Sequence, residues 1–170
     1  MQKALFLDRD GVVNVEKDYL YKVEDFEFID GIFDLITYYQ QLDYKIFVVT
    51  NQSGIARNYY SENDFNNLTQ WMISEFLKHN IKIEKVYFCP HHPDISGECS
   101  CRKPKPGMII EAANSYDIDL EHSIMIGDKE RDIEAGLNAG IKETYLFDES
   151  KTATNSKATK IVSKLEEIWK

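Results

Sequence analysis

KALFLDRDG, residues 3–11, decides the fold. Ala4 to Leu7 are apolar without alternation, so both faces of this predicted strand are buried, as in a parallel sheet covered by helices. Asp8, Arg9, Asp10 and Gly11 then end the run with charge and a turn residue. Four further runs share this character: KIFVVT (45–50), KVYFC (85–89), SIMIGD (123–128) and ETYLFD (143–148). Between and after them lie helix-like segments at about 31–42, 62–79, 106–116, 130–139 and 156–169. The second carries a capping signal, Ser61-x-x-Asp64, then Phe65, Leu68, Met72 and Phe76 along one face. Pro106 suits the first turn of the third, and Gly140 stops the fourth. Trp71 is expected in the core. Strand and helix alternate throughout, which predicts a Rossmann-like three-layer α/β sandwich with right-handed crossovers. The stretch 149–157 reads as an exposed loop. Segments 9–29 and 89–105 are too long for simple turns, and long loops in compact domains are usually functional.

The chain of 170 residues is expected to form one domain, residues 1–170, with no insertion large enough for a separate cap. Its formal net charge is −9 and its pI near 4.9. That field repels nucleic acid and anionic membranes, so neither is expected as a partner, and any phosphate site must supply its own positive charge. The apolar run at the N-terminus is too short for an export signal. A cytoplasmic location and a monomeric state are expected, and in a reducing compartment the thiols are available for metal or chemistry.

Ligands of such sheets bind beyond the carboxyl ends of the strands, so the strand ends form a census of the site. The first gives Asp8 and Asp10; the second gives Thr50, Asn51, Gln52 and Ser53. The third runs into a Cys/His window that closes with Arg102 and Lys103, and the fourth gives Asp128, Lys129 and Asp132. Taken alone, Asp-x-Asp-Gly is often a turn and Gly127-Asp128 a strand–helix junction. Together they bring carboxylates, a hydroxyl and cations to one edge. Clustered carboxylates repel, and Mg²⁺, which prefers oxygen ligands and retains substrate phosphate, removes the conflict. The combination points to phosphoryl chemistry. A phospho-accepting signalling domain would also use a strand-end Asp and Mg²⁺; the second carboxylate, Asp10, favours a hydrolase, which must activate water.

CPHHPDISGECSC, residues 89–101, contains all three cysteines and two of the four histidines. Cys89, Cys99, Cys101 and one imidazole match a closed, structural, tetrahedral Zn²⁺ site. Spacing alone leaves open whether His91 or His92 is the ligand, and reactive free thiols are the competing reading. His79 and His122 are expected to face solvent.

FLDRDGVVN (6–14), VVTNQSGIAR (48–57), CRKPKPGM (101–108) and MIGDKERDIEAG (125–136) resemble the four motifs of the haloacid-dehalogenase superfamily of phosphohydrolases. DFEFIDG (25–31) and YFCPHHP (87–93) narrow the resemblance to its heptose bisphosphate phosphatase branch, over about Leu5 to Leu146. The resemblance implies a haloacid-dehalogenase fold without a large cap and a zinc-organised loop at 89–101. It makes Asp8 the nucleophile and Asp10 the general acid, then base. Asp8, Asp128 and the backbone carbonyl of Asp10 would hold Mg²⁺, and Thr50 and Lys103 would hold the transferring phosphoryl group. Arg102 and Lys129 would contact substrate, as would Asn51, Gln52 and Ser53 on the loop after Thr50. Glu16, Lys17, Asp18 and Tyr19 would lie on the sugar side, and Asp132 would orient Lys103 or a metal-bound water. The family pattern favours His91 as the fourth zinc ligand. The implied substrate is a phosphorylated sugar on the route to surface-glycan heptose. The short His91–Cys99 loop keeps a histidinol-phosphatase activity open as the alternative.

Overall fold

The computed structural model describes residues 1–170. Six strands form one parallel sheet: β1 (Ala4–Leu7), β2 (Lys45–Asn51), β3 (Ile83–Cys89), β4 (Ile124–Gly127), β5 (Glu143–Phe147) and β6 (Lys160–Val162). Their order is β3-β2-β1-β4-β5-β6. The chain builds outward from β1 to β3 on one side, then returns to place β4 on the other flank of β1. That reversal opens the crevice in which α/β sheets bind ligands.

Side chains alternate across the sheet. Leu5, Leu7, Ile46, Val48, Ile124 and Ile126 face one layer, made by α1 (Ile32–Gln41), α2 (Glu62–Lys78) and a 3₁₀ turn at Leu165–Ile168. Ala4, Phe6, Phe47, Val49 and Met125 face the other, made by α4 (Gly107–Tyr116) and α5 (Glu130–Ala139). A four-residue helix, α3 (Pro93–Ser96), lies in the loop after β3. Burial of each large side chain contributes roughly 1.5–3 kcal/mol, so the apolar runs of the strands account for the three-layer arrangement. Trp71 packs against the first cluster, edge-on to Phe26.

Local signals operate as written. The Ser61 side chain accepts from the Asp64 amide while Asp64 accepts from the Ser61 amide, and Phe65, Leu68, Met72 and Phe76 are buried along α2. Gly140 ends α5 at φ 100°, a left-handed conformation that favours glycine. Pro106 is the N-cap of α4 rather than its first helical residue.

One expectation is corrected. The segment 156–169 is not a helix: Lys160–Val162 pairs with β5 as an edge strand, and only a 3₁₀ turn follows. Ile161, Val162, Leu165 and Ile168 mimic a helical period, but the β-branched pair fits the open edge of β5. The Glu167 carboxylate then accepts from the Ser163 and Lys164 amides, which tightens the last turn.

Candidate active site

The carboxyl ends of β1, β2 and β4 converge with the segment after the Cys/His loop. Lys103, 3% exposed although cationic, is the hub. Its Nζ donates to Asp8 Oδ1 at 2.8 Å and to the Val49 carbonyl at 2.8 Å, and lies 2.7 Å from Asp132 Oδ1. Burial opposes the charge on Lys103, but Asp132 and Asp8 outweigh it and raise the pKa of the ammonium. Asp132, fully buried, also accepts from the Lys129 amide at 3.0 Å. Asp132 therefore fixes both Lys103 and the start of α5.

Ligand oxygens of Asp8, Asp128 and Asp132 lie within 4.8 Å of one another. Burial first, then the Asp132 charge, pushes Asp8 well above the usual carboxylate range; Lys103 opposes this without cancelling it. Glu16 is also raised, by burial and by Asp10 and Asp128. Lys103 offsets part of this charge, and Lys129 Nζ stands 2.6 Å from Asp128 Oδ2, yet Asp8 stays raised; a hard divalent cation supplies further positive charge. The donor set fits Mg²⁺. Gly11 adjoins it at φ 91°, and a Cβ there would stand 2.3 Å from Asp128 Oδ2. Gly11→Ala is accordingly expected to displace Asp128 and raise the Mg²⁺ concentration for half-maximal activity at least about tenfold; a Mg²⁺ titration of initial rates checks this.

The Asp10 carboxylate is occupied differently. Arg9 Nη2 donates to Oδ1 at 2.9 Å, Asn14 Nδ2 to Oδ1 at 3.1 Å, and Gln52 Nε2 to Oδ2 at 3.0 Å. Arg9 is itself buried, with its guanidinium over the Phe65 ring and a second bond to the Leu20 carbonyl.

Gln52 Nε2 also donates to Thr50 Oγ1 at 2.8 Å. Asn51 grips the backbone of Lys103 at both ends: its Oδ1 accepts from the Lys103 amide and its Nδ2 donates to the Lys103 carbonyl. Both amides line the cavity, yet their hydrogen bonds hold other site residues. A cavity of about 480 Å³ opens above Asp8, Asp10 and Lys103. Glu16, Asp18, Tyr19, Ser53, Arg102 and Lys129 line it, whereas Lys17 does not and instead donates to the Asp25 carbonyl. Sequence reasoning missed Arg9, Asn14, Arg57, Tyr60 and Arg131. Asn14, four residues after Asp10, and Arg9, a charge between two aspartates, left a faint local signal. Arg57 and Arg131 stand inside the motif stretches 48–57 and 125–136 but drew no role of their own, and Tyr60 left no signal.

Beside this cavity, Cys89, His91, Cys99 and Cys101 present ligand atoms within 4.8 Å of one another. The Sγ of Cys89 is 3.6 Å from His91 Nδ1 and 3.6 Å from Cys99 Sγ, and His91 Nδ1 is 3.4 Å from Cys101 Sγ. A Zn–S bond of about 2.3 Å sets tetrahedral edges of about 3.8 Å, close to these spacings. The Cys89–Cys101 edge, 2.9 Å, is tighter, and all three thiols are free. The set fits Zn²⁺. His92 stands outside it, with its Nε2 2.9 Å from Arg57 Nη2, while Arg102 donates to the His91 carbonyl. No helix is long and apolar enough to cross a membrane.

A buried Asp–Lys–Asp line beside a third, firmly held Asp is the equipment of phosphoryl transfer. The HAD-hydrolase-like family model matches residues 100–168. A Campylobacter jejuni protein named D-glycero-alpha-D-manno-heptose-1,7-bisphosphate 7-phosphatase is 54% identical over 88% of this chain and 84% of its own length. A Helicobacter pylori protein named as the corresponding beta-anomer phosphatase is 49% identical over 85% of this chain and 83% of its own. The crystal structure of a D,D-heptose 1,7-bisphosphate phosphatase from B. bronchiseptica, complexed with magnesium and phosphate, superposes with a TM-score of 0.86 at 31% identity, covering 98% and 95% of the two chains. The chain belongs to the haloacid-dehalogenase-like family of heptose bisphosphate phosphatases and is a phosphoric monoester hydrolase.

Proposed function

We propose that this chain hydrolyses the C7 phosphate of D-glycero-D-manno-heptose 1,7-bisphosphate and leaves the anomeric phosphate in place. The product would feed nucleotide-activated heptose for lipopolysaccharide core or other surface glycans. The chain would work in the cytoplasm as a monomer, with residues 1–170 acting as one phosphatase unit. The observation that carries this reading is Lys103, buried between Asp8 and Asp132 at the base of a cavity whose rim offers Arg57, Arg102 and Lys129. One phosphate fits the base, and the cations of the rim suit a second.

Asp8 attacks phosphorus, the bond from phosphorus to the C7 oxygen breaks, and the protonated Asp10 carboxyl gives its proton to that oxygen. Asp10, now a carboxylate, takes a proton from water as the water oxygen attacks the aspartyl-phosphate. Phosphate leaves, Asp8 is restored, and Asp10 is again protonated. Lys103 and the Thr50 hydroxyl hold the transferring oxygens throughout, so their charge and dipole are in place before charge develops. Mg²⁺, held by Asp8, Asp128 and the backbone carbonyl of Asp10, would offset carboxylate and phosphoryl charge when bound. Cys89, His91, Cys99 and Cys101 would hold a structural Zn²⁺ that orders the loop leading into Arg102 and Lys103. Ser53, Glu16, Asp18 and Tyr19 would contact the sugar.

Phosphate release from both anomers of the heptose bisphosphate and from histidinol phosphate, with Mg²⁺ and with EDTA, tests the reading. The expected kcat/KM preference for a heptose bisphosphate is at least about 100-fold, because an unmatched rim leaves charged groups unpaired. A preference for histidinol phosphate would overturn the substrate assignment.

A further inference from the structure

We propose that Tyr60, acting through Gln52, is a positioning residue for phosphoryl transfer: it fixes the orientation of the Gln52 amide, which in turn aims Asp10 and Thr50. The inference rests on the acid–base role given to Asp10 above. Contacts and burial carry it rather than a sequence pattern.

Gln52 is 3% exposed. Its two ends are nearly isosteric, so shape alone does not choose which one faces Asp10. The hydrogen-bond partners choose. The Tyr60 hydroxyl donates to Gln52 Oε1, which leaves Nε2 to donate both to Asp10 Oδ2 at 3.0 Å and to Thr50 Oγ1 at 2.8 Å. With the amide turned over, a carbonyl oxygen would face Asp10, repelling its carboxylate and, in the acid form, accepting the proton that the leaving oxygen needs.

Tyr60 is suited to enforce this choice. It is 6% exposed, and burial pushes its phenol up to about 12, so the hydroxyl remains a donor at any working pH. Its ring stacks on Tyr21, with centroids 5.4 Å apart and planes 14° from parallel. Its backbone directly precedes Ser61, the capped start of α2. On the remaining side it lies against Gly54, where a Cβ would come within 2.2 Å of Tyr60 Cε1. Ring, backbone and hydroxyl are each held by a different element.

The consequence for Thr50 follows from its single hydroxyl proton. Oγ1 accepts from Gln52, so the Thr50 proton is left to donate elsewhere, and in the mechanism proposed above its acceptor is the transferring phosphoryl group. For Asp10, the Gln52 bond occupies Oδ2 while Arg9 and Asn14 occupy Oδ1. The carboxyl plane is set by donors at both oxygens. Without Tyr60, the Gln52 amide samples both orientations, and Asp10 loses the donor on Oδ2 part of the time.

A misaligned general acid matters most when the leaving group is a poor one. The test is therefore kcat/KM with Mg²⁺ for monophosphates of graded leaving-group pKa, from p-nitrophenyl phosphate to an alkyl phosphate, in wild type, Tyr60→Phe, Gln52→Leu, the double variant and Asp10→Asn. Tyr60→Phe keeps the stacking ring and is expected to lose about threefold on p-nitrophenyl phosphate and at least about tenfold on the alkyl phosphate, a fraction of the effect of a whole general acid. The double variant is expected to be no worse than Gln52→Leu, since Tyr60 acts only through Gln52. An equal loss across the series, no loss, or additive losses in the double variant would each overturn the inference. If Tyr60→Phe folds poorly, the steeper leaving-group dependence of Gln52→Leu carries the same test. Asp10→Asn separates the levels: without leaving-group dependence in that variant the acid–base reading falls, and with it there but absent from Tyr60→Phe only this inference falls.

Discussion

Asp8→Asn is expected to reduce turnover of any phosphomonoester by at least about 10⁴-fold, the scale seen when a covalent nucleophile is removed. The amide is nearly isosteric, and its Oδ1 can still accept from Lys103. The fold should be retained, and without Mg²⁺ the variant should unfold at the same temperature or higher. Burial and the Asp132 charge already disfavour the Asp8 carboxylate, so neutralising it relieves a conflict that function requires. Single-turnover assays together with thermal unfolding check both halves. Turnover within tenfold of wild type would remove Asp8 from the nucleophile's role.

Cys99→Ser is expected to have the largest effect on stability. Without one thiolate the loop from Cys89 to Cys101 no longer closes on a tetrahedral ion, and the zinc content should fall from one per chain to below about 0.2. Losing a ligand bound at about 1,000 times its Kd costs about 4 kcal/mol, which for a chain of this size lowers Tm by about 10 °C. Activity should fall with it. Arg102 donates to the His91 carbonyl, and Lys103 is tied to Asn51 immediately after the loop. Elemental analysis and calorimetry decide: a one-to-one zinc content with an unchanged Tm would refute the ligand set.

Five of the six strands were legible as apolar runs; β1, β2 and β4 are buried on both faces as expected, whereas the edge strand β3 and β5 bury mainly alternate positions. β6 was not legible, because Lys160–Val162 is a three-residue edge strand exposed at two positions. Its identity depends on β5 having an open side. Asp8, Thr50 and Asp128 at strand ends, and Lys103 at the close of the loop after β3, were legible for the complementary reason: a parallel sheet brings the carboxyl ends of its strands together whatever the helices do. What the sequence left unread was the hydrogen bonding among them. That Asn51 grips Lys103 and Gln52 bridges Asp10 and Thr50 depends on how β2 stands against the loop after β3. Tyr60 enters only because the start of α2 packs over the same corner. Lys17 shows the limit in the other direction: adjacent to Glu16 in sequence, it turns outward to the Asp25 carbonyl while Glu16 lines the cavity.

The electrostatic requirement set by the net charge of −9 is met locally. Arg57, Arg102, Lys103, Lys129 and Arg131 all line the one cavity. Asp8, Asp10, Glu16 and Asp18 line it too, so the cations offset the local carboxylates and leave the crevice less hostile to an anionic substrate than the −9 field alone would make it.

The most direct test is ³¹P NMR of heptose 1,7-bisphosphate incubated with the protein and Mg²⁺. The C7 phosphate signal should give way to inorganic phosphate while the anomeric phosphate signal persists. Loss of the anomeric phosphate, or no Mg²⁺-dependent change in either signal, would contradict the account.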